Sequence, residues 1–246
     1  MTSPVNLSSI QAAAIRLANY LHVTPVLTSK TINSMSNKKL YFKAENLQKT
    51  GSFKARGALN ASLSLMGNYA DKPRLVTHSS GNHGTALAWA ARTLGHPCTV
   101  VVPEGTPDVK CRAIRAYGAD LVFCSQTPMD REVAVQKIIQ AKGGVLIPSS
   151  DHQDVISGQG TLALELLEQV PDLDLVLVPI SGGGMAAGVA VAVKAVRPQC
   201  KVLAVEPEGK CLENSLRARR RLWNNPPAYL NTKAGNLVFN FCHISF

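Results

Sequence analysis

Aromatic residues are scarce in this 246-residue chain: only 5% of it is Phe, Trp or Tyr, although 46% is hydrophobic. A core must therefore be built mainly from Val, Leu, Ile and Ala. This composition is typical of parallel strands that are covered by helices on both faces. A chain of this length can form one large domain or two smaller ones, each with its own core.

Paired cysteines and long apolar runs are also missing. The six cysteines include no C-x-x-C pair and no His/Cys cluster, which argues against a zinc finger or a disulfide framework and indicates reduced thiols. No apolar run approaches the ~20 residues of a membrane-spanning helix, and the chain does not open with a signal peptide. We therefore expect a soluble, cytoplasmic protein without a membrane partner.

Acidic residues are outnumbered, with 16 Asp and Glu against 26 Lys and Arg, for a formal net charge of +10. The basic residues are scattered, apart from one dense run at 217–221 (RARRR) on a predicted helix. Neither interleaved aromatics nor zinc-ligand spacing accompanies this run. We interpret it as a solvated helix face and predict no nucleic-acid partner.

Strand-like and helix-like segments alternate along most of the chain. The first helix, with a capping box at Ser8 and Gln11, precedes two short extended pieces at 24–29 and 40–46 and a helix that follows Lys54. Further strands are predicted at 74–80, 98–103, 120–124, 145–149, 175–180 and 201–207. Helices are predicted between them, around 82–95, 109–117, 130–143, 160–170 and 184–196. This alternation predicts an α/β fold with doubly wound parallel sheets.

The stretch GSFKARG places Lys54 at the start of a helix. A cation is opposed there by the positive end of the helix dipole, so the lysine needs a reason other than helix stability. Burial and a nearby helix N-terminus would lower its pKa, as Schiff-base chemistry with an aldehyde cofactor requires. A solvated lysine on a loop is the alternative.

Two further loops join a strand to a helix through small residues, THSSGNHGTALA at 77–88 and PISGGGMAAG at 179–188. Backbone N–H groups at such junctions can bind an anion. The second loop does not match the dinucleotide fingerprint, because its third glycine position is Ala187, and no Walker lysine follows. Ordinary tight turns are the alternative for both loops.

In this order, the loops resemble the pyridoxal-phosphate enzymes of fold type II (tryptophan synthase β-like), and within them the serine racemase and serine/threonine dehydratase group. The resemblance runs from about residue 8 to about residue 232. Its pieces are TPVLTS, KTGSFKARGA, THSSGNHGTALA, VVPEGTPDVKCRAIRAYGA, SGQGTLALELLEQ, VPISGGGMAAG and AVEPEG. It implies a large domain built from 1–73 and 147–232, a small domain at 74–146, and a divergent tail at 233–246.

The resemblance also implies roles for individual residues. Lys54 would hold pyridoxal 5'-phosphate as a Schiff base and act as a base on one face of the substrate α-carbon. Phe53 would pack beside the pyridine ring, and Asn82 would hydrogen-bond the 3′-hydroxyl. The phosphate would be bound by Ser181, Gly182, Gly183, Gly184 and Met185.

On the substrate side, Ser80 would be the acid/base on the opposite face. Ser79, Gly81 and His83 would hold the substrate carboxylate, although a packed or exposed histidine is the more usual role for such a His83. Bases on two faces imply racemisation, and the same carbanion with a β-hydroxyl leaving group implies elimination to a keto acid and ammonia. The expected substrates are small amino acids such as serine or threonine.

Three departures from the family pattern lead to further expectations. Glu206 matches one carboxylate of a divalent-cation site for Mg²⁺ or Mn²⁺, but the second falls near Leu212 and Glu213. Ser149 and Ser150 are reminiscent of the aspartate racemases of this family, although a solvated loop is the alternative. The family continues for roughly another hundred residues, so we expect an incomplete large domain. An inactive truncated isoform is therefore the alternative to an active enzyme, and a homodimer follows from the resemblance alone.

Overall fold

The structure is a computed structural model that describes residues 5–66, 68–69, 71–207, 212–218 and 222. Its helices are α1 (Leu7–Leu17), α2 (Lys30–Ser36), α3 (Lys54–Leu63), α4 (Asn82–Leu94), α5 (Asp108–Ala116), α6 (Pro128–Lys142), α7 (Gln153–Gln169), α8 (Gly184–Val196) and α9 (Leu212–Arg217). Its strands are β1 (Val26–Leu27), β2 (Phe42–Lys43), β3 (Leu75–His78), β4 (Cys98–Pro103), β5 (Asp120–Cys124), β6 (Val145–Leu146), β7 (Leu175–Pro179) and β8 (Lys201–Val205).

The strands form parallel sheets, as the alternation of strands and helices predicts. β5, β4, β3 and β6 make a four-stranded sheet in that order, with Leu75 paired to both Cys98 and Val145. β7 and β8 form a second parallel pair, and β1 and β2 a short antiparallel one. The α/β prediction is therefore confirmed. The four-stranded sheet lies within the range predicted for the small domain, whose boundaries stay a prediction.

Helices cover both faces of the four-stranded sheet. In β4, Val100 packs with Ala86 of α4 and Ile114 of α5, whereas Val101 points to the other face and packs with Val135 of α6. All three valines at 100–102 are 0% exposed. A strand that is buried on both faces needs apolar residues on both, which explains the three consecutive valines.

Helix α7 packs on α3 and α8 at backbone distance. A Cβ at Gly158 would lie 2.7 Å from the carbonyl oxygen of Arg56 and 2.7 Å from the Cα of Gly57. One at Gly188 would overlap the carbonyl oxygen of Ile156 and lie 2.7 Å from the amide nitrogen of Gly160. The glycines of SGQG thus let three helix backbones approach one another without side chains between them.

Some local predictions are wrong. The first helix is capped by Asn6, which forms a capping box with Ser9 rather than one at Ser8 and Gln11. The segment at 40–46 gives a two-residue strand followed by a 3₁₀ turn at Glu45–Leu47, and α2 has no counterpart among the sequence predictions. Helix α7 begins at Gln153, seven residues before the predicted start.

The predicted basic helix face lies partly outside the described residues. Arg217 ends α9 and forms an exposed ion pair with Glu213 at 2.7 Å. Arg219–Arg221 and the predicted tail at 233–246 lie outside the described residues, as do Cys211 and Cys242. Within the described ranges, none of the helices combines the length and apolarity needed to cross a bilayer.

The packing of α7 leads to a stability prediction. We expect Gly158→Ala to lower the free energy of unfolding by about 2 kcal/mol or more, because the new methyl group forces α3 and α7 apart. Chemical denaturation of the full chain measures this change. Glu168→Ala is the control, since Glu168 is exposed on the same helix. Equal stabilities of Gly158→Ala and the control would contradict a backbone contact between α3 and α7.

Candidate active site

The segment at 147–150, which joins β6 to α7, contacts all three loops that the sequence singles out. The ammonium nitrogen of Lys54 donates to the carbonyl oxygen of Ser149 at 2.5 Å. Nε2 of His83 hydrogen-bonds the carbonyl oxygen of Ile147 at 3.0 Å. A Cβ at Gly184 would lie 2.5 Å from the carbonyl oxygen of Ser150. The three loops therefore meet at one place in the fold.

A tight turn places Lys54 at the first position of α3. Thr50 and Gly51 take left-handed φ values of 61° and 75°, which is unusual for a β-branched residue such as Thr50. The next turn is wound as a 3₁₀ helix, because the amides of Ala55 and Arg56 bond three residues back, at 3.3 and 3.0 Å. Backbone strain just before the lysine is typical of a functional loop.

Burial weakens the basicity of this lysine. It lowers the pKa of Lys54 from an ordinary 10.5 to about 8, since the charged form is poorly solvated. The amine nitrogen lies 5.2 Å from the centroid of the Phe53 ring. About a tenth of the amine is then neutral at pH 7, compared with less than a thousandth for an ordinary lysine. A neutral amine is the form that attacks an aldehyde.

Two helices begin beside the lysine with glycine N-caps. Gly81 precedes α4 and Gly183 precedes α8, and neither can supply the capping side chain that Ser, Thr or Asp would offer. The first N–H groups of each helix therefore suit an anionic ligand. Gly183 also has a φ of +84°, a conformation that favours glycine.

The residues predicted for the phosphate lie at the α8 terminus. Gly183 and Gly184 are buried, Ser181 and Gly182 are half-buried, and the side chain of Met185 packs on the core cluster beneath α7 and α8. The structure thus brings this loop to the lysine. Its phosphate-binding role stays a prediction.

The residues predicted to hold the substrate lie between β3 and α4. The amide of Ser79 continues the sheet by donating to Val101 at 3.0 Å, and its hydroxyl accepts from the amide of Gly81 at 3.3 Å. Ser80 is half-buried, and Asn82 is an exposed residue in the first turn of α4. A Cβ at Gly81 would meet nothing within 4 Å, so this turn faces open space.

The side chain of His83 points away from that open turn. It is 2% exposed, and burial, followed by the charge of Lys54, lowers its pKa to about 3, so the ring is neutral and donates from Nε2 to Ile147. Within the described residues, its Nδ1 atom has no hydrogen-bond partner. Any contact between this residue and a substrate carboxylate therefore falls to its backbone N–H group.

A buried ionic network behind Lys54 was not predicted from the sequence. Arg56 is 1% exposed and binds two carboxylates, Glu45 at 2.7 and 2.8 Å and Glu165 at 2.6 and 2.9 Å. Lys43 adds a second cation, 2.6 Å from Glu165. Two cations and two carboxylates thus join β2, α3 and α7. The sequence offered one signal, the charged residue Arg56 directly before the small residues Gly57 and Ala58.

The network controls the ionisation of Glu165. Burial alone would raise the pKa of this carboxyl, but hydrogen bonds and charge from Arg56 and Lys43 outweigh it and lower the pKa below 4.5. The carboxylate therefore stays ionised at neutral pH.

The carboxylates predicted for the cation site bind protein groups in this structure. Oε1 of Glu206 accepts from the amide of Leu212 at 2.8 Å, and Glu213 is paired with Arg217. The part of the chain that the structure describes contains no group of three His, Cys, Asp or Glu residues placed to hold a metal ion. A divalent cation at Glu206 stays a prediction.

The fold and the site together define a class: an α/β enzyme in which a partly buried, weakly basic lysine and two glycine-capped helix N-termini meet at one segment. This donor set fits pyridoxal phosphate, because the neutral amine suits its aldehyde and the α8 N-terminus suits its phosphate. The Pyridoxal-phosphate dependent enzyme model matches residues 17–238. The chain therefore belongs to the pyridoxal-phosphate dependent enzyme family.

Individual relatives agree with this assignment. Serine racemase of Mus musculus is 44% identical over 227 residues, which cover 91% of this chain and 67% of the relative. A crystal structure of a pyridoxal 5'-phosphate-dependent aspartate racemase superposes with a TM-score of 0.90 and 48% identity, covering 96% of this chain and 74% of that one. The crystal structure of the T.th. threonine deaminase gives a TM-score of 0.87 and 42% identity, covering 95% and 75%. These likenesses confirm the prediction of fold type II.

The chain spans 60% to 68% of the length of the serine racemases that it matches. The family match, over residues 17–238, includes every loop described above.

The environment of Lys54 predicts its reactivity with pH. We expect the rate at which pyridoxal phosphate attaches to Lys54 to rise as pH increases through about 8, because the neutral amine forms over that range. The exposed Lys39 is the reference residue in the same reaction mixture. Borohydride trapping at a series of pH values, followed by peptide mapping, measures the attachment rate at Lys54 and at Lys39. Parallel profiles for the two lysines would contradict the lowered pKa.

The ionic network predicts a pH-dependent stability. At neutral pH we expect Glu165→Gln to lower the free energy of unfolding by about 3 kcal/mol, because Arg56 and Lys43 lose a buried counter-charge. The folded-state pKa of Glu165 is depressed, so its contribution is present above about pH 4.5 and is lost as the pH falls through the folded value. The difference from wild type should therefore narrow below pH 4.5 in denaturation curves. Glu168→Gln, on the exposed face of α7, is the control, and a pH-independent difference would refute this account.

Proposed function

We propose that the chain uses pyridoxal phosphate to racemise small amino acids, to eliminate water from them, or both. The observation that carries this proposal is the weakly basic amine of Lys54 beside two glycine-capped helix N-termini. The printed activities of the relatives, serine racemase and threonine deaminase, support the choice of substrate class. Serine and threonine are small amino acids with a β-hydroxyl group.

Each loop has its own part in binding. Lys54 attaches the cofactor covalently, Phe53 packs beside the ring, and Asn82 hydrogen-bonds the ring hydroxyl. The backbone of the α8 N-terminus, which begins at Gly184, receives the phosphate. The amides at the α4 N-terminus, which begins at Asn82, receive the substrate carboxylate.

Proton transfer is assigned to two side chains. When bound, the cofactor withdraws electrons from the substrate α-carbon and so makes its proton acidic. The amine of Lys54 takes or returns this proton on one face, and the hydroxyl of Ser80 does so on the other. Removal on one face and return on the other inverts the α-carbon. Loss of a β-hydroxyl instead gives elimination, and the orientation of that group relative to Lys54 and Ser80 decides between the outcomes.

Aspartate is a second candidate substrate, favoured by the likeness to an aspartate racemase. The loop at 147–150 contributes Ser149, whose carbonyl oxygen accepts from Lys54, and the buried Ser150. The hydroxyl groups of these two serines can donate to the second carboxylate of an acidic substrate.

Three accompanying proposals concern the setting of the enzyme. A divalent cation, Mg²⁺ or Mn²⁺, is proposed to bind through Glu206, and the chain is proposed to form a homodimer in the cytoplasm. The absence of disulfides among the four described cysteines, Cys98, Cys111, Cys124 and Cys200, is compatible with that compartment.

Titration with pyridoxal phosphate tests the proposal. We expect wild type to gain a visible absorption band and Lys54→Ala to show none, because attachment requires the amine at position 54. Lys39→Ala, which removes an exposed lysine, is the matched control and should behave as wild type. A folded wild-type chain without a band, or an equal band in Lys54→Ala, would overturn the proposal. Assays of the loaded protein with L-serine, L-threonine and L-aspartate then identify the substrate.

A further inference from the structure

Gln159 is a buried polar residue in the contact between α7 and α3. Its side chain is 1% exposed, and its position lies between the glycines Gly158 and Gly160. Oε1 accepts a hydrogen bond from the backbone amide of Gly57 at 3.2 Å. Nε2 has no hydrogen-bond partner among the described residues. The side-chain amide of Gln159 thus makes one hydrogen bond through its oxygen and leaves its buried N–H donors unpaired, which is unfavourable.

The backbone amide that donates to Gln159, that of Gly57, belongs to the first turns of the helix that begins with Lys54. In a regular α-helix the amide of Gly57 would bond to the carbonyl of Phe53, four residues back. Here that carbonyl already accepts from Arg56 at 3.0 Å, because the first turn is wound as a 3₁₀ helix. The side chain of Gln159 offers the amide of Gly57 an acceptor that comes from another helix.

Gly57 is required for this arrangement. A Cβ at Gly57 would overlap Nε2 of Gln159 and lie 2.8 Å from the carbonyl oxygen of Val155. The glycine thus admits the side chain from α7 directly against the backbone of α3. Gly57 follows Lys54 by three residues, which places the two on neighbouring turns of one helix face.

We propose that Gln159 is a positioning residue for Lys54. It fixes the first turn of α3 by accepting from Gly57, and so holds the lysine where its amine meets the loop at 147–150. This inference rests on the proposed function for its effect on cofactor binding, but the hydrogen bond itself can be tested without the cofactor. It differs from the Arg56 network, which binds α7 through charged side chains, because it acts on the backbone of the turn.

Three variants of the full chain separate positioning from packing. Gln159→Met keeps the length of the side chain but removes the acceptor, and Gln159→Glu keeps an acceptor oxygen. Gln153→Met makes the same chemical change at the exposed start of α7 and is the control. The readouts are hydrogen exchange of the Gly57 amide by NMR in the cofactor-free chain, circular dichroism, and the affinity for pyridoxal phosphate.

We expect Gln159→Met to exchange the Gly57 amide at least tenfold faster and to bind pyridoxal phosphate about tenfold more weakly, as the loss of one buried hydrogen bond predicts. The amides of α7 at 162–167 should keep their protection. Gln159→Glu should restore most of the Gly57 protection, and Gln153→Met should match wild type.

Three results would overturn the inference. The first is unchanged exchange of Gly57 in Gln159→Met, and the second is weaker cofactor binding in that variant without faster exchange at Gly57. If wild type itself fails to bind pyridoxal phosphate, the proposed function fails, while the exchange measurements still decide whether Gln159 fixes the turn. Faster exchange throughout α3 and α7 in Gln159→Met would show a packing role and would likewise reject the inference.

Discussion

Helix α7 lies in backbone contact with two other helices, and each contact depends on a pair of glycines. Gly158 meets α3 beside Gly57, and Gly160 meets α8 beside Gly188. Since α3 begins with Lys54 and α8 begins at Gly184, α7 lies between the helix that carries the lysine and the helix that follows the SGGG loop. Any side chain inserted at these glycines would move one of the two helix N-termini away from the segment at 147–150.

The ionic network adds a second, chemically different restraint on the same helices. Burying a charge is costly unless it is paired, and a buried pair is often no more stable than apolar residues of the same size. The charge of Arg56 is paired twice, because its guanidinium forms two hydrogen bonds to Glu45 and two to Glu165. Apolar packing tolerates small shifts of one helix along another, whereas bidentate pairing does not. The network therefore fixes the register of α3 on α7, and the glycines fix their distance.

How well the sequence predicts the structure depends on the range of the interactions involved. Strands β4 and β5 and helix α8 have the predicted bounds, because continuous apolar runs and a glycine start are local signals. The predicted start of helix α7 lies seven residues too late in the sequence, because Gly158 and Gly160 lower helix propensity. Only the tertiary contacts of these glycines explain why the helix includes them. The loops of the site were identified because each is a short motif. The contacts of Arg56 with Glu165 and of Gln159 with Gly57 could not be predicted, because these partners lie 109 and 102 residues apart along the chain.

That separation has a consequence for synthesis on the ribosome. Arg56 and Glu165 are 109 residues apart, and ribosomes add roughly 5–20 residues per second, so the arginine is made roughly 5 to 20 seconds before its second carboxylate partner. The four-stranded sheet, by contrast, is complete at Leu146, before Glu165 is made. We therefore expect the nascent chain to fold the four-stranded sheet, at residues 75–146, first. The opening segment, which carries the lysine, is then completed only when α7 emerges.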